Sequence, residues 1–388
     1  MYRIEGFLKG TPKVLKILTK AFLESVDGYF IRIEILSVGK HRQFPLLSKI
    51  NEYGVRIFSN DMVGAIVFID RVGLEDAVKY QDIKFRVIDG YYFDEGRNNK
   101  INKVIKHLFD TRKKMKESKN PAEKTIKLFM NSIYGKMILK PIDTDTKVIP
   151  EWRKDDYLFR NYNFIKECIK VGNNYYVKLI KSINEHFNYV HCGVEVLSTS
   201  KRIMNEVMCL AEDKELSIFY QDTDSIHIIY DEVETLRKAF KTEYDRELVG
   251  DNLGQFHIDF ELDGSKKGAE IFSIESYFLG KKDYYDRLQN IDDDDDIIYG
   301  DHIICKGIPT PCVLQKAKEL EMKPIDIYKK KYNGETIKFN LTERVDGKPK
   351  FKMEKDYSVS TMRGGDKGVT RKSEIRDADS KRIKTIFV

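Results

Sequence analysis

Residues 219–228 read Phe-Tyr-Gln-Asp-Thr-Asp-Ser-Ile-His-Ile, and no other stretch limits the fold as sharply. Two carboxylates, Asp222 and Asp224, stand two residues apart between apolar runs: Leu216, Ile218 and Phe219 before, Ile226, Ile228 and Ile229 after. A short polar tip between such runs predicts an antiparallel β-hairpin. Side chains repeat with period two along extended chain, so Asp-x-Asp can aim both carboxylates at one point. Acids so placed repel unless a cation lies between them, and Mg²⁺, which is held by one or two carboxylates plus substrate phosphates, suits the pair. Asp-Thr-Asp can equally serve as plain turn chemistry, because Asp side chains bond their own backbone.

A second motif weighs against the plain turn. Residues 127–135 read Lys-Leu-Phe-Met-Asn-Ser-Ile-Tyr-Gly, within a segment that has helix-start signals: Asn120 as N-cap, Pro121 at the first helical position and Glu123 as a capping-box acid. Ile126, Phe129, Met130 and Ile133 recur at helical spacing and are expected to face the core. Lys127, Asn131 and Tyr134 fall on the other face. Arg112 and Lys116, one turn apart on a preceding helix, would join Lys127 at one locus. Such a cluster fits a triphosphate, Arg by bidentate contacts and Lys as a point charge. Two ordinary solvated helix faces are the alternative for Arg112 and Lys116.

With 388 residues, 34% charged and 12% aromatic, the chain is long enough for two or three subdomains and is not disordered in composition. Its basic excess is local: residues 306–388 hold 21 Lys and Arg against 12 Asp and Glu, leaving 47 against 50 elsewhere. A basic segment beside a near-neutral body suits a phosphate-bearing partner. The five cysteines form no Cys-x-x-Cys pair, which fits a reducing, intracellular compartment and argues against structural zinc. No apolar run reaches membrane-spanning length. Asp292 to Asp296 reads as a solvated acidic loop.

Short β runs at 29–35, 64–69 and 85–88 precede the two helices; 139–192 is irregular with some strand. A helix follows at 199–212, its buried stripe marked by Ile203, Val207 and Leu210, then the hairpin, then a charged helix at 232–248. Helices against an antiparallel hairpin define an α+β fold.

Taken together, Lys-x-x-x-Asn-Ser-x-Tyr-Gly resembles motif B of the family B DNA polymerases, and Tyr-x-Asp-Thr-Asp-Ser resembles their motif C. Lys282-Asp-Tyr284 is similar to the family's Lys-x-Tyr element, and Lys306-Gly-Ile to the entry into its thumb. Residues 198–207 are similar to the palm helix of viral-type, protein-primed members. The resemblance implies an antiparallel palm with inserted helical fingers and a thumb. On this basis residues 1–95 take the position of a palm-linked insertion that docks a priming protein. Residues 96–138 are fingers, 139–192 a second insertion linked to strand displacement, 193–305 palm and 306–388 a basic thumb.

The activity implied is template-directed transfer of dNTPs to a primer 3′-OH in DNA replication, assisted by two Mg²⁺ ions (Mn²⁺ as the alternative). Asp222 and Asp224 would be metal-binding and catalytic, with Arg112, Lys116, Lys127, Asn131 and Tyr134 at the nucleotide. Gly135, Tyr220, Ser225, Lys282, Tyr284 and Lys306 would lie along primer-template DNA, with packing an equal alternative for Tyr220. The family's third carboxylate, from motif A (Asp-x-x-Ser-Leu-Tyr-Pro), has no counterpart string in the chain. Residues 1–10 are similar to sequence that follows motif A, so the chain is expected to begin just after it and to lack the exonuclease domain. An upstream segment carrying motif A is then an expected partner, unless Asp27 or Glu34 substitutes. A non-catalytic DNA- and nucleotide-binding remnant, or one half of a split polymerase, is the alternative. An RNA-copying or nuclease-type metal enzyme sharing only the acid pair leaves the motif B helix without a role.

Overall fold

The computed structural model describes residues 6–17, 19–186, 188–250, 252, 254–258, 260–265, 269–280, 282–291, 297–345, 348–357 and 383–387. The first five residues, the acidic run Asp292 to Asp296 and much of the basic tail lie outside them. The fold is α+β, with antiparallel sheets and separate helices. It divides into two compact units, the first formed by Met1–Ile31, Asp70–Val72 and Asp89–Ser200, the second by Arg32–Ile69, Gly73–Ile88 and Lys201–Val388.

In the first unit the helices Lys100–Glu117 and Glu123–Ile138 pack on each other. The second begins at Glu123, with Ala122 as N-cap, two residues later than the Pro121 start the sequence suggests. Asn120 Oδ1 instead accepts from Ala122 N at 3.0 Å, closing a turn. Glu123 does not close a capping box, because its carboxylate is drawn to Arg112. The expected apolar face is only half realised. Ile126, Met130 and Ile133 are half-buried and Phe129 is 56% exposed, so no residue of this helix is fully buried. Its anchorage lies at the C-terminal end, where Tyr134 and Met137, with Ile101, pack on Phe7, Cys192 and Val196. Gly193 makes that approach possible: a Cβ there would meet Ile138 Cγ2 at 2.3 Å. The stretch 139–192 is more regular than its sequence suggests. Asn174–Ile180 pairs antiparallel with both Thr144–Pro150 and Ile165–Val171, and the short helix Lys154–Asn161 lies between strands in the chain.

The second unit contains the hairpin. The helix Val190–Asp213, which starts in the first unit and nine residues before the expected Thr199, contributes Ile203, Met204, Val207, Met208 and Ala211 to this unit's core. They pack with Ile218, Ile226 and Ile228 of the hairpin and with Leu236 and Phe240 of the helix Val233–Tyr244. Burial of a Leu- or Ile-sized side chain is worth about 1.5–3 kcal/mol, so this cluster fixes the hairpin's base firmly. The sheet runs Ile218–Asp222, Ser225–Ile229, Ile383–Phe387, Glu270–Gly280, Asp283–Ile291, Tyr299–Ile304, with antiparallel neighbours throughout. Helices Thr310–Glu319 and Pro324–Tyr332 close a further core over Tyr277, Tyr285 and Ile303. Among the described residues no helix is long and apolar enough to cross a membrane.

Candidate active site

The hairpin turns through two residues, Thr223 and Asp224, with Asp222 opposite Ser225. Asp224 N–H donates to Asp222 O at 2.6 Å, so the tip is a three-residue turn with Thr223 at its centre. Thr223 has φ +55°, a left-handed conformation that a β-branched residue rarely adopts and that costs about 1–3 kcal/mol. Strain of this kind persists where the surroundings over-determine the backbone, here the Ile218/Ile226/Ile228 base and the side-chain ties at the tip. Thr223 Oγ1 donates to Asp222 Oδ1 at 3.0 Å and Ser225 Oγ to Asp222 O at 3.1 Å. Ser225, expected along DNA, therefore holds the turn. Asp224 is exposed, whereas the Asp222 side chain is 13% exposed.

A second hairpin tip meets the first. Lys282, between strands Glu270–Gly280 and Asp283–Ile291, donates its backbone N–H to Tyr220 Oη at 2.8 Å and its ammonium to Asp222 Oδ2 at 2.8 Å. Tyr220 corrects the expectation of a DNA contact. It is completely buried, stacked on Phe278 at 5.5 Å and tilted against Tyr284 at 4.9 Å, and its phenol orients Lys282. Tyr284 is half-buried in the same cluster. Burial raises the Tyr220 phenol, which stays protonated.

Beneath Tyr220, edge-on at 5.3 Å, lies His227, with no exposed surface. Its Nδ1 is 3.7 Å from Asp286, a buried acid that also accepts from Ser276 Oγ at 2.6 Å and faces His302 Nδ1 at 3.0 Å. Burial outweighs the pull of Asp286 and lowers His227 to about 4. An unfolded imidazole titrates near 6.5, so between those values the unfolded chain holds a proton that the folded chain does not. Stability is therefore lost as pH falls through that window, by about 3 kcal/mol in full. Urea midpoints measured at pH 7 and pH 5 are expected to separate clearly for the unsubstituted chain and to close up in His227→Phe.

The residues expected at the nucleotide lie in the first unit. Arg112 Nε donates to Glu123 Oε1 at 2.6 Å, and Arg112 first, then the charges of Lys127 and Lys116, hold the Glu123 carboxyl below the usual range. Arg112, Lys127 and Lys116 thus all act on Glu123, an acid whose position suits helix capping. Lys116, Lys127 and Asn131 are exposed. Tyr134, expected beside them on the polar face, is half-buried in the Phe7–Cys192 cluster. Among the described residues a Cβ on Gly135 would meet nothing within 4 Å, so no described packing demands a glycine there. Lys306 is exposed on a turn closed by Ile308 N to Cys305 O at 2.9 Å, in which Gly307 supplies the positive φ of +76°. A cavity of about 620 Å³, lined by Phe7, Leu8, Ile101, Met137 and His191 among others, adjoins the C-terminal end of the helix Glu123–Ile138 and has no sequence signature.

Two carboxylates at a polar tip suit a hard divalent cation, and the Lys282 ammonium at Asp222 Oδ2 marks a place where positive charge is already held. Among the described residues no group of three or more His, Cys, Asp or Glu forms a metal site. Asp222 and Asp224 are the side chains at this tip that could hold such a cation. Asp27 and Glu34, considered as a third acid, are engaged elsewhere: Asp27 accepts from Gly96 N at 2.6 Å, and Glu34 pairs with Arg86.

The antiparallel sheets, the acid-tipped hairpin and the separate helices make an α+β fold. Among solved structures the chain is similar to Phi29 DNA polymerase in an orthorhombic crystal form, with TM-score 0.54 and 15% identity over 92% of this chain and 56% of that one. It is also similar to the same enzyme complexed with primer-template DNA, with TM-score 0.52 and 16% identity over 92% of this chain and 55% of that one. The chain therefore spans a little over half the length of these structures. No protein-family profile matches it, and no curated protein does.

Proposed function

We propose that the chain is the fingers, palm and thumb portion of a DNA-directed DNA polymerase of the protein-primed family B type. The observation that carries this reading is the Asp222/Asp224 tip, built on a buried base and held against Lys282. On this reading residues 96–138 act as fingers, 193–305 as palm and 306–388 as thumb, with 1–95 and 139–192 as insertions.

Phosphoryl transfer needs positioning and charge neutralisation more than covalent help from the protein. Asp222 and Asp224 would hold Mg²⁺, which when bound neutralises phosphate charge and aids ionisation of the primer 3′-OH. Arg112, Lys116 and Lys127 would bind the triphosphate, with Asn131 beside it. Lys282 and Lys306 would follow the DNA backbone without reading sequence. The motif A acid would come from a further polypeptide segment, since no such string occurs in the chain.

Primer extension tests this, using the 388-residue chain with Mg²⁺ and four dNTPs, alone and with an added segment carrying motif A. Template-dependent extension in either arm supports the reading. DNA and dNTP binding without extension in both arms would favour the non-catalytic remnant.

A further inference from the structure

We propose that Lys282 is the resident counter-ion of the acid pair, which a divalent cation must displace from Asp222, and that the displaced ammonium then serves the DNA strand. The inference rests on the metal reading of Asp222 and Asp224 and adds a competitor to it. Both Asp222 oxygens are engaged in this structure, Oδ1 by Thr223 and Oδ2 by Lys282. A hydroxyl can turn to accommodate a cation; an ammonium at 2.8 Å from the oxygen repels one by like charge. The Lys282 backbone is anchored independently of its side chain, through its N–H on the buried Tyr220 phenol and its left-handed φ of +58°. The four-carbon stem can therefore swing while the turn stays in place. The side chain is 59% exposed, so release costs it little burial.

Two consequences follow. The ion pair opposes cation binding by about what an exposed pair is worth, at most about fivefold in affinity. By linkage, a cation that frees Lys282 raises DNA affinity, and DNA that captures Lys282 raises cation affinity by the same factor.

The test is Mn²⁺ binding to the full chain without DNA, by electron paramagnetic resonance of free Mn²⁺. The acidic run at 292–296 is common to all variants and cancels in their differences. Lys282→Met is expected to bind Mn²⁺ more tightly by up to about fivefold, Lys282→Arg as the unsubstituted chain does, and Asp222→Asn more weakly. Mn²⁺ should tighten binding of a primer-template duplex by the unsubstituted chain and not by Lys282→Met. If Asp222→Asn weakens Mn²⁺ binding while Lys282→Met leaves it unchanged, the counter-ion role is overturned and the metal reading stands. If neither Asp222→Asn nor Asp224→Asn alters Mn²⁺ binding, both are overturned. Thermal unfolding of Lys282→Met checks that its turn is retained; should it unfold early, Lys282→Gln, which removes the charge but keeps a polar end, takes its place under the same criteria.

Discussion

Asp224→Asn is expected to reduce primer extension by about a hundredfold to a thousandfold, the scale on which loss of one preorganised charge-stabilising group acts in transfer chemistry. The fold should be spared. Asp224 is exposed at the tip, and its side chain is no part of the buried Ile218/Ile226/Ile228 base. Its backbone N–H, which closes the turn on Asp222 O, is unchanged by the substitution. The measurement is single-turnover extension, alongside a urea unfolding curve to show equal stability. Extension at the unsubstituted rate would remove the metal role of the hairpin, and the polymerase reading would go with it.

Lys127→Ala should separate nucleotide binding from DNA binding. Lys127 is exposed and lies with Arg112 and Lys116 around Glu123. A charge-assisted contact to phosphate is worth about 1.5–3 kcal/mol, so the apparent KM for dNTP should rise by about 10–100-fold. Duplex affinity, measured by fluorescence anisotropy at fixed salt, should stay within about twofold, because one lysine among many contributes little to a spread backbone interaction. Equal loss of both would move Lys127 from the triphosphate to the DNA backbone.

The local features of this chain were legible because they depend on neighbours a few residues away. Alternation of Ile218 and Tyr220 with Ile226 and Ile228 around a polar tip specifies a hairpin wherever it is placed. Arg112 and Lys116 share a helix face by periodicity alone. Helix boundaries were less legible: Asn120 and Pro121 carry good start signals, yet the helix begins at Glu123, since a turn closed by Asn120 competes with a cap. The turn at Thr223 was also hidden, because threonine is a poor advertisement for positive φ.

The contacts that give the candidate site its chemistry are of another kind. Tyr220 and Lys282 are 62 residues apart, and their meeting depends on where the strands Glu270–Gly280 and Asp283–Ile291 lie in the sheet relative to the acid hairpin. Gly193 against Ile138, and Asp286 beneath His227, likewise depend on packing over long separations. The sequence by itself determined the acid pair, the hairpin that carries it and the cationic helix faces, because period and turn chemistry are local properties. Only the tertiary structure decided that Tyr220 is buried support, that Glu123 sits within its cation cluster and that Lys282 neutralises Asp222. Those outcomes follow from strand order and helix packing, which no short window of residues encodes.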